Sequence, residues 1–306
     1  MQNKYNDSEY IEKTLKAGKI VNEVFKRIEN LIKPGKKVIE LCENIENVII
    51  NLGGKPAFPC NISIDNMAAH YTSPPDDQLS IPDKAVVKVD IGVHIDGYIV
   101  DAAKTFSFNP KYDNMVEAVE MALNNAIKKI KPGVKIKDVA REIERTITSF
   151  GYKPISNLTG HLLRRYLLHG GKGIPNVYGE YPWSIEEGEV YAIEPFATDG
   201  AGKVIETNRI YIYSIARLRS GKTKLEKDFI RQVHENFKTL PFCKRWLMKV
   251  FVDINEQILQ DILERLIKDG TLTGYPVLRE IKNGVVTQIE ATVIVTKDGV
   301  IHANEI

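Results

Sequence analysis

Cysteine is scarce in this chain. The 306 residues contain three, Cys42, Cys60 and Cys243, and none stands at CxxC spacing. That spacing excludes a thiolate metal cluster, and an odd count fits a reducing compartment better than a disulfide framework. Charge of one sign is lacking too. Lys plus Arg is 42 and Asp plus Glu is 40, a net of +2. So even a balance excludes a polycation made for nucleic acid or an anionic membrane. No apolar run approaches ~18 residues, so no spanning helix is expected. The opening "MQNKYNDSEYIEK" is polar and charged and does not read as a signal peptide. We read the protein as cytoplasmic. What is present, 43% hydrophobic and 27% charged residues, suits a globular chain with a real core. The length allows two ordinary domains or one large domain with an insertion.

The chain repeats itself. "IKPGKKVIELCENIENVIINLGGKP" (32–56) aligns without a gap with "IKPGVKIKDVAREIERTITSFGYKP" (130–154), 98 residues on, with 11 of 25 positions identical. Each copy opens on a Lys-Pro-Gly turn and continues as an amphipathic helix. Val38, Leu41, Ile45 and Val48 form the apolar stripe of one, and Ile136, Val139, Ile143 and Ile147 that of the other. Helical patterns precede both turns, over roughly 9–32 and 114–130. Two copies are too few for a solenoid, which points to a duplicated α/β half with a site between the halves. Strand-like stretches follow each copy, and "LLRRYLLHG" is ambiguous between strand and short helix. Residues 216–280 differ, being helix-rich with Gly270 as a C-terminal cap. They read as a subdomain inserted into a main domain formed by 1–215 and 281–306.

"VKVDIGVHIDGYIVDAAKTF" (87–106) reads as a hairpin turning at Asp96-Gly97. That register sets Asp101 opposite Gly92 and Asp90 opposite Ala103, so both acids share one face. Val87, Val89, Ile91, Val93, Tyr98 and Val100 take the other, a core face. Burying carboxylates is costly unless something compensates them. A cation site, a proton-sharing dyad, or pairing with Lys or Arg would each serve. Two further acids interrupt apolar strands, Glu194 in "VYAIEPF" and Glu290 in "TQIEATVIV", and His161 follows a glycine in "NLTGHLL". Four carboxylates balance two divalent cations. An oxygen-rich shell with one nitrogen suits Mn, Fe, Co or Zn. Such a pair, roughly 3.5–4 Å apart, can activate water and polarise a carbonyl.

With these residues in order, the chain resembles type II methionine aminopeptidases of the compact archaeal kind over nearly its whole length. "PCNISIDNMAAHYTSP" carries His70, and the hairpin carries Asp90 and Asp101. "NLTGHLLRRYLLHGGKGIPN" carries His161 and His169, "AIEPFAT" carries Glu194, and "LPFCKRW", "YPVL" and "QIEATVIV" follow, the last with Glu290. The resemblance implies an α/β pita-bread fold of two pseudosymmetric halves, with a winged-helix-like helical insertion. It implies two divalent metal ions held by Asp90, Asp101, His161, Glu194 and Glu290, with Asp101 and Glu290 bridging. Phe58, His70, Leu168, His169, Pro241 and Tyr275 would bind the substrate. The implied activity removes the initiator methionine of nascent polypeptides, preferring a small second residue. A hydroxide between the metals would attack the first peptide bond, His70 would help stabilise the oxyanion, Glu194 would shuttle a proton, and His169 would orient the peptide. A monomer with a weak ribosome contact and no membrane partner is implied.

The sequence departs from that pattern where His commonly follows the last ligand, here Ala291, and at Gly173, where Ser or Thr is more usual. Neither change removes a ligand. His94, His234 and His302 read as ordinary core or surface residues. His70 and His169 lie one residue from equivalence under the repeat, as two walls of one cleft would. Two rival functions are a proline-specific aminopeptidase and a catalytically weak pita-bread protein that binds RNA or the ribosome. The first usually carries an extra N-terminal domain, and the second usually loses ligands.

Overall fold

A computed structural model describes residues 8–219 and 221–305. The first half begins with α1 (Ser8–Ile28) and α2 (Val38–Asn51). Four strands follow, β1 (Lys55–Ile64), β2 (Met67–Ala69), β3 (Val86–Ile95) and β4 (Tyr98–Ser107). Strands β1, β3 and β4 form an antiparallel sheet in that order. The β3–β4 register is the one read from the sequence, with Asp90 opposite Ala103 and Gly92 opposite Asp101. Its turn works because Asp96 and Gly97 both take positive φ, at 50° and 87°. That backbone twist matches the twist of the strands it joins. Val87, Val89, Ile91, Val93 and Val100 are fully buried and pack under α1 and α2.

The second half repeats the plan with α3 (Asp113–Lys129), α4 (Ile136–Ser149), β5 (Lys153–Pro154), β6 (Thr159–Leu163), β7 (Gly173–Pro175), β8 (Val190–Ile193) and β9 (Phe196–Thr198). Helices α2 and α4 stand 98 residues apart at both ends, as the sequence repeat requires. The stripe Ile136, Val139, Ile143 and Ile147 is buried, whereas Val48 of the first copy is only partly so. The two Lys-Pro-Gly turns make equivalent bonds. Gly35 N–H donates to the Ile81 carbonyl and Ile81 N–H to that of Lys36. Gly133 and Ile185 do the same, the latter returning to Val134. "LLRRYLLHG" is neither strand nor helix after Leu163. Arg164 and Leu167 exchange backbone hydrogen bonds across a tight turn, with Tyr166 at φ 56°.

Strand β10 (Val204–Ile215) leads into α5 (Lys224–Phe237), β11 (Phe242–Cys243), α6 (Lys244–Val250), α7 (Glu256–Lys268) and β12 (Leu272–Glu280). Thr223 and Glu226 form a reciprocal capping box at the start of α5. At the end of α7, Gly270 takes φ 74° and Thr271 N–H reaches the Leu266 carbonyl. The three helices share their own core, which includes Phe229, Leu247 and Leu263 and also Tyr213 and Ile215 of β10. Strand β12 runs back along β10 and then pairs with β2, in the order β11-β10-β12-β2. The insertion is thus stitched to the first half by backbone bonds. A buried ion pair adds to this. The Arg245 guanidinium donates to both oxygens of Glu46 at 2.8 and 2.9 Å, to the Ser73 carbonyl and to Thr72. Trp246 Nε1 also donates to Glu46.

Three strands close the chain, β13 (Val286–Gln288), β14 (Ala291–Thr296) and β15 (Gly299–His302). They complete the second half as β13-β9-β5 and β15-β14-β8-β6-β7. Between β13 and β14, Glu290 and Ala103 of β4 exchange backbone hydrogen bonds at 3.0 and 3.3 Å. That bridge joins the two halves at the future site. Among the described residues no helix is long and apolar enough to cross a membrane.

Candidate metal centre

Each of the five expected donors is placed by a local feature of the backbone. Asp90 and Asp101 face the same way because the Asp96-Gly97 turn fixes the hairpin register. Thr292 holds Asp101 from behind. Its hydroxyl accepts from the Asp101 N–H and donates to the Asp101 carbonyl, both at 2.8 Å. His161 lies in β6 opposite Ala192 of β8, two residues before Glu194. Glu194 sits just beyond the end of β8 and not within a strand. Asn176 braces that break, donating to the Glu194 carbonyl at 3.2 Å and accepting from Phe196 N–H at 2.9 Å. Glu290 likewise sits at a single bridge between strands.

Together these donors line one cavity of about 210 Å³. Donor atoms of Asp101, His161 and Glu290 all lie within 4.8 Å of one another. His161 Nε2 is 3.5 Å from Asp101 Oδ2 and 3.9 Å from Glu194 Oε1. Gln288 Nε2 lies 3.4 Å from both Glu194 and Glu290. Among the described residues, no lysine or arginine forms an ion pair with any of the four acids.

The electrostatics are those of a charge cluster awaiting a counter-charge. Burial pushes the Asp101 carboxyl well up, and Asp90 and Glu194 add to it. Glu290 is raised by burial and then by Asp101, Glu194 and Asp90. Glu194 is raised by burial and Asp90. Asp90 is raised to about 7 by burial, against the pull of Gln288. Burial, reinforced by His169, holds the His161 imidazole well below its usual range and therefore neutral. Asp90 Oδ1, Asp101 Oδ1, Glu290 Oε1 and His161 Nδ1 are buried without a hydrogen-bond partner. Buried orphan acceptors on this scale are rare unless a cation satisfies them. The residues therefore fit a divalent pair: hard carboxylate oxygens, one neutral imidazole, and open lone pairs pointing into shared space.

Apolar residues share the lining of the cavity. Phe58, Leu168, Phe196, Ile212 and Pro241 line it, with Tyr275. His70 and His169 both stand beside the Tyr275 ring, at centroid distances of 5.7 and 6.2 Å. His70 adopts φ 65°, and its ring lies with Nδ1 3.1 Å from the Pro276 carbonyl. A carbonyl only accepts, so Nδ1 carries the proton and Nε2 the lone pair. Burial lowers the His70 imidazole, and burial with His70 brings His169 to about 4. Every residue expected from the sequence to hold metal or substrate lines this one space. The reading missed Asn61, Ala69, Asn157, Leu158, Thr159, Phe196 and Ile212, and also Gln288. Asn61 and Gln288 carried the signal used for the acids, a polar residue interrupting an apolar strand. The others gave none.

Residues 12–297 match the profile of metallopeptidase family M24. The methionine aminopeptidase of Thermococcus kodakarensis is 46% identical, covering 94% of this chain and 97% of its own. Those of Saccharolobus solfataricus and Methanocaldococcus jannaschii are 45% and 44% identical, each over 95% of this chain and over 96% and 97% of theirs. Among solved structures, a thermophilic Arx1 superposes with TM-score 0.83 at 19% identity, covering 97% of this chain and 91% of that one. Methionine aminopeptidase from Thermotoga maritima gives 0.71 at 21%, covering 99% of each chain. These last two likenesses speak for the fold, and the archaeal relatives for the lineage: the chain belongs to metallopeptidase family M24 and groups there with the archaeal, type II methionine aminopeptidases.

Proposed function

We propose that this cavity removes the N-terminal methionine from nascent proteins and peptides by metal-dependent hydrolysis of the first peptide bond, with a small second residue preferred. The observation that carries the reading is the cavity's make-up. Its lining joins four acids and an imidazole, with unpaired donor atoms and no Lys or Arg ion pair among the described residues, to an apolar set that includes Phe58, Leu168 and Pro241. Bound at Asp90, Asp101, His161, Glu194 and Glu290, two divalent cations supply Lewis acidity and an activated water. Asp101 and Glu290 are the bridging pair in this reading. Glu290 pairs its backbone with Ala103, two residues from Asp101 along β4, so the two carboxylates come together from opposite halves of the molecule.

The remaining steps belong to side chains. Phe58, Leu168, Pro241 and Tyr275 enclose the methionine side chain, whose length and flexibility suit such a slot. Each methylene discriminated there is worth about 1–3 kcal/mol. His169 orients the peptide. Glu194, reachable from both the donor cluster and the cavity, moves a proton to the leaving amine. His70, with its proton committed to Pro276, presents Nε2 as an acceptor for a substrate N–H. Stabilising an oxyanion from this position requires the ring to gain a second proton first.

Residues 216–280 act as an inserted, winged-helix-like subdomain whose separate helical core supports this reading. It contributes Pro241 and Tyr275 to the slot. The protein works as a cytoplasmic monomer on nascent chains, with at most a weak ribosome contact. The test is hydrolysis of Met-Ala-Ser by chelated protein with Mn, Fe, Co or Zn added back singly. Activity returning with a divalent ion is the expected result. Cleavage that survives chelation, or a preference for X-Pro peptides, overturns the proposal.

A further inference from the structure

We infer that Asn61 binds the α-amine of the substrate's first residue, its carboxamide oxygen accepting one of the amine hydrogens; this rests on the aminopeptidase reading above. Asn61 lies in β1 directly opposite Asp90 of β3 and lines the cavity. It is 4% exposed, and Oδ1 is buried without a hydrogen-bond partner. Five residues lining the cavity carry such an orphan atom. Four of them, Asp90, Asp101, His161 and Glu290, belong to the proposed metal ligands. A cation pair accounts for the three carboxylate oxygens, and His161 turns its other nitrogen, Nε2, to the acids, which leaves Asn61 Oδ1 as the cavity's orphan acceptor among the described residues. A buried acceptor kept without a partner calls for one that arrives.

The backbone is shaped to present this group. Phe58 and Asn61 are three residues apart, and alternation along a regular strand would send them to opposite faces. The β1–β3 pairing is irregular between them, so that three steps on β1 match two on β3, from Gly92 to Asp90. The extra residue turns both side chains into the cavity, which is a recurrent use of a bulge beside a site. One strand thus offers an apolar ring and a polar acceptor to the same space. An N-terminal methionine carries the matching pair, an apolar side chain and an amine, on one carbon. The free amine is also what separates an aminopeptidase substrate from an internal peptide bond. A neutral amide reads it without adding a fifth negative charge to the cluster.

The test compares two ligands on the metal-loaded full chain, methionine and 4-(methylthio)butanoate, which differ by the amine. Binding is measured by calorimetry and by competition against Met-Ala-Ser cleavage, for wild type, Asn61→Ala and Asn61→Leu. The second variant preserves volume without an acceptor. Methionine is expected to weaken about tenfold in both variants, the des-amino analogue by less than about twofold, with metal content unchanged. Equal weakening of both ligands, or of neither, overturns the inference. Failure of the wild type to cleave Met-Ala-Ser would instead overturn the aminopeptidase reading.

Discussion

Replacing Gly92 by alanine is expected to close the methionine slot while sparing the metals. Gly92 sits opposite Asp101, and the Phe58 ring lies against its bare α-carbon. An added Cβ would come 2.3 Å from Phe58 Cε1, 2.5 Å from Cδ1 and 2.9 Å from the Ala57 Cβ. Carbon atoms rest at about 3.5–4.0 Å, so the ring must withdraw by more than about 1 Å. The ring packs in one buried cluster with Ala57, Ile99 and Leu163 and also lines the cavity, which is the space it can move into. Overpacking of this kind costs about 1–3 kcal/mol. If that cost falls on substrate binding, kcat/KM for Met-Ala-Ser drops roughly 5- to 150-fold, carried by KM. Steady-state kinetics beside metal analysis reads this directly. Phe58→Ala removes the ring, so the Phe58→Ala/Gly92→Ala double variant should lose much less than the sum of the single losses. An unchanged KM in Gly92→Ala, strict additivity in the cycle, or loss of metal in step with activity would each refute the reasoning.

Three further outcomes follow from the same geometry. Asp101→Asn or Glu290→Gln should lower bound metal and cut activity by more than the roughly 10- to 100-fold that an outer partner is worth, yet raise the melting temperature of chelated protein, because each removes one of the crowded buried charges; calorimetry with and without chelator checks both signs. Arg245→Met leaves Glu46 buried and unpaired, so chemical denaturation should show a loss of about 3–5 kcal/mol, while adding Glu46→Leu recovers part of it. His94 accepts the Gly97 N–H through Nδ1 at 3.0 Å, and burial, with Lys55 opposing and Asp96 favouring its charge, brings its imidazole to about 4. The unfolded ring protonates first, near 6.5, so stability present above that pH is lost as pH falls towards 4, by up to about 3 kcal/mol. Asn in place of His94 keeps an acceptor but cannot titrate, so its denaturation midpoint should fall less between those values.

The hairpin was legible because its determinants are local. Asp-Gly dictates the turn, the turn dictates the register, and the register places Asp90 and Asp101 on one face. The duplication was legible because two Lys-Pro-Gly turns and two helical stripes recur at fixed spacing. Position within strands was less so. Glu194 and Glu290 interrupt apolar runs, as the sequence shows, but they do so at strand breaks, where Asn176 and Ala103 supply the missing backbone partners from far along the chain. The docking of β12 on β2 and the Glu46–Arg245 pair depend on segments about 200 residues apart, and no local pattern announces them. Asn61 interrupts an apolar strand as the acids do, but the face it takes could not be read. Only the bulge makes it a cavity residue, and a bulge is a property of the paired strands.

The proposed donors run from Asp90 to Glu290, and the last of them is held by a bridge to β4 in the opposite half. A growing polypeptide therefore has no assembled centre until Glu290 has been synthesised and has met Ala103. Fragments released by premature termination would be inert, and a fresh copy would have to wait for an older one to trim other emerging chains. Hydrolysis at the proposed centre would thus report that the two halves have met.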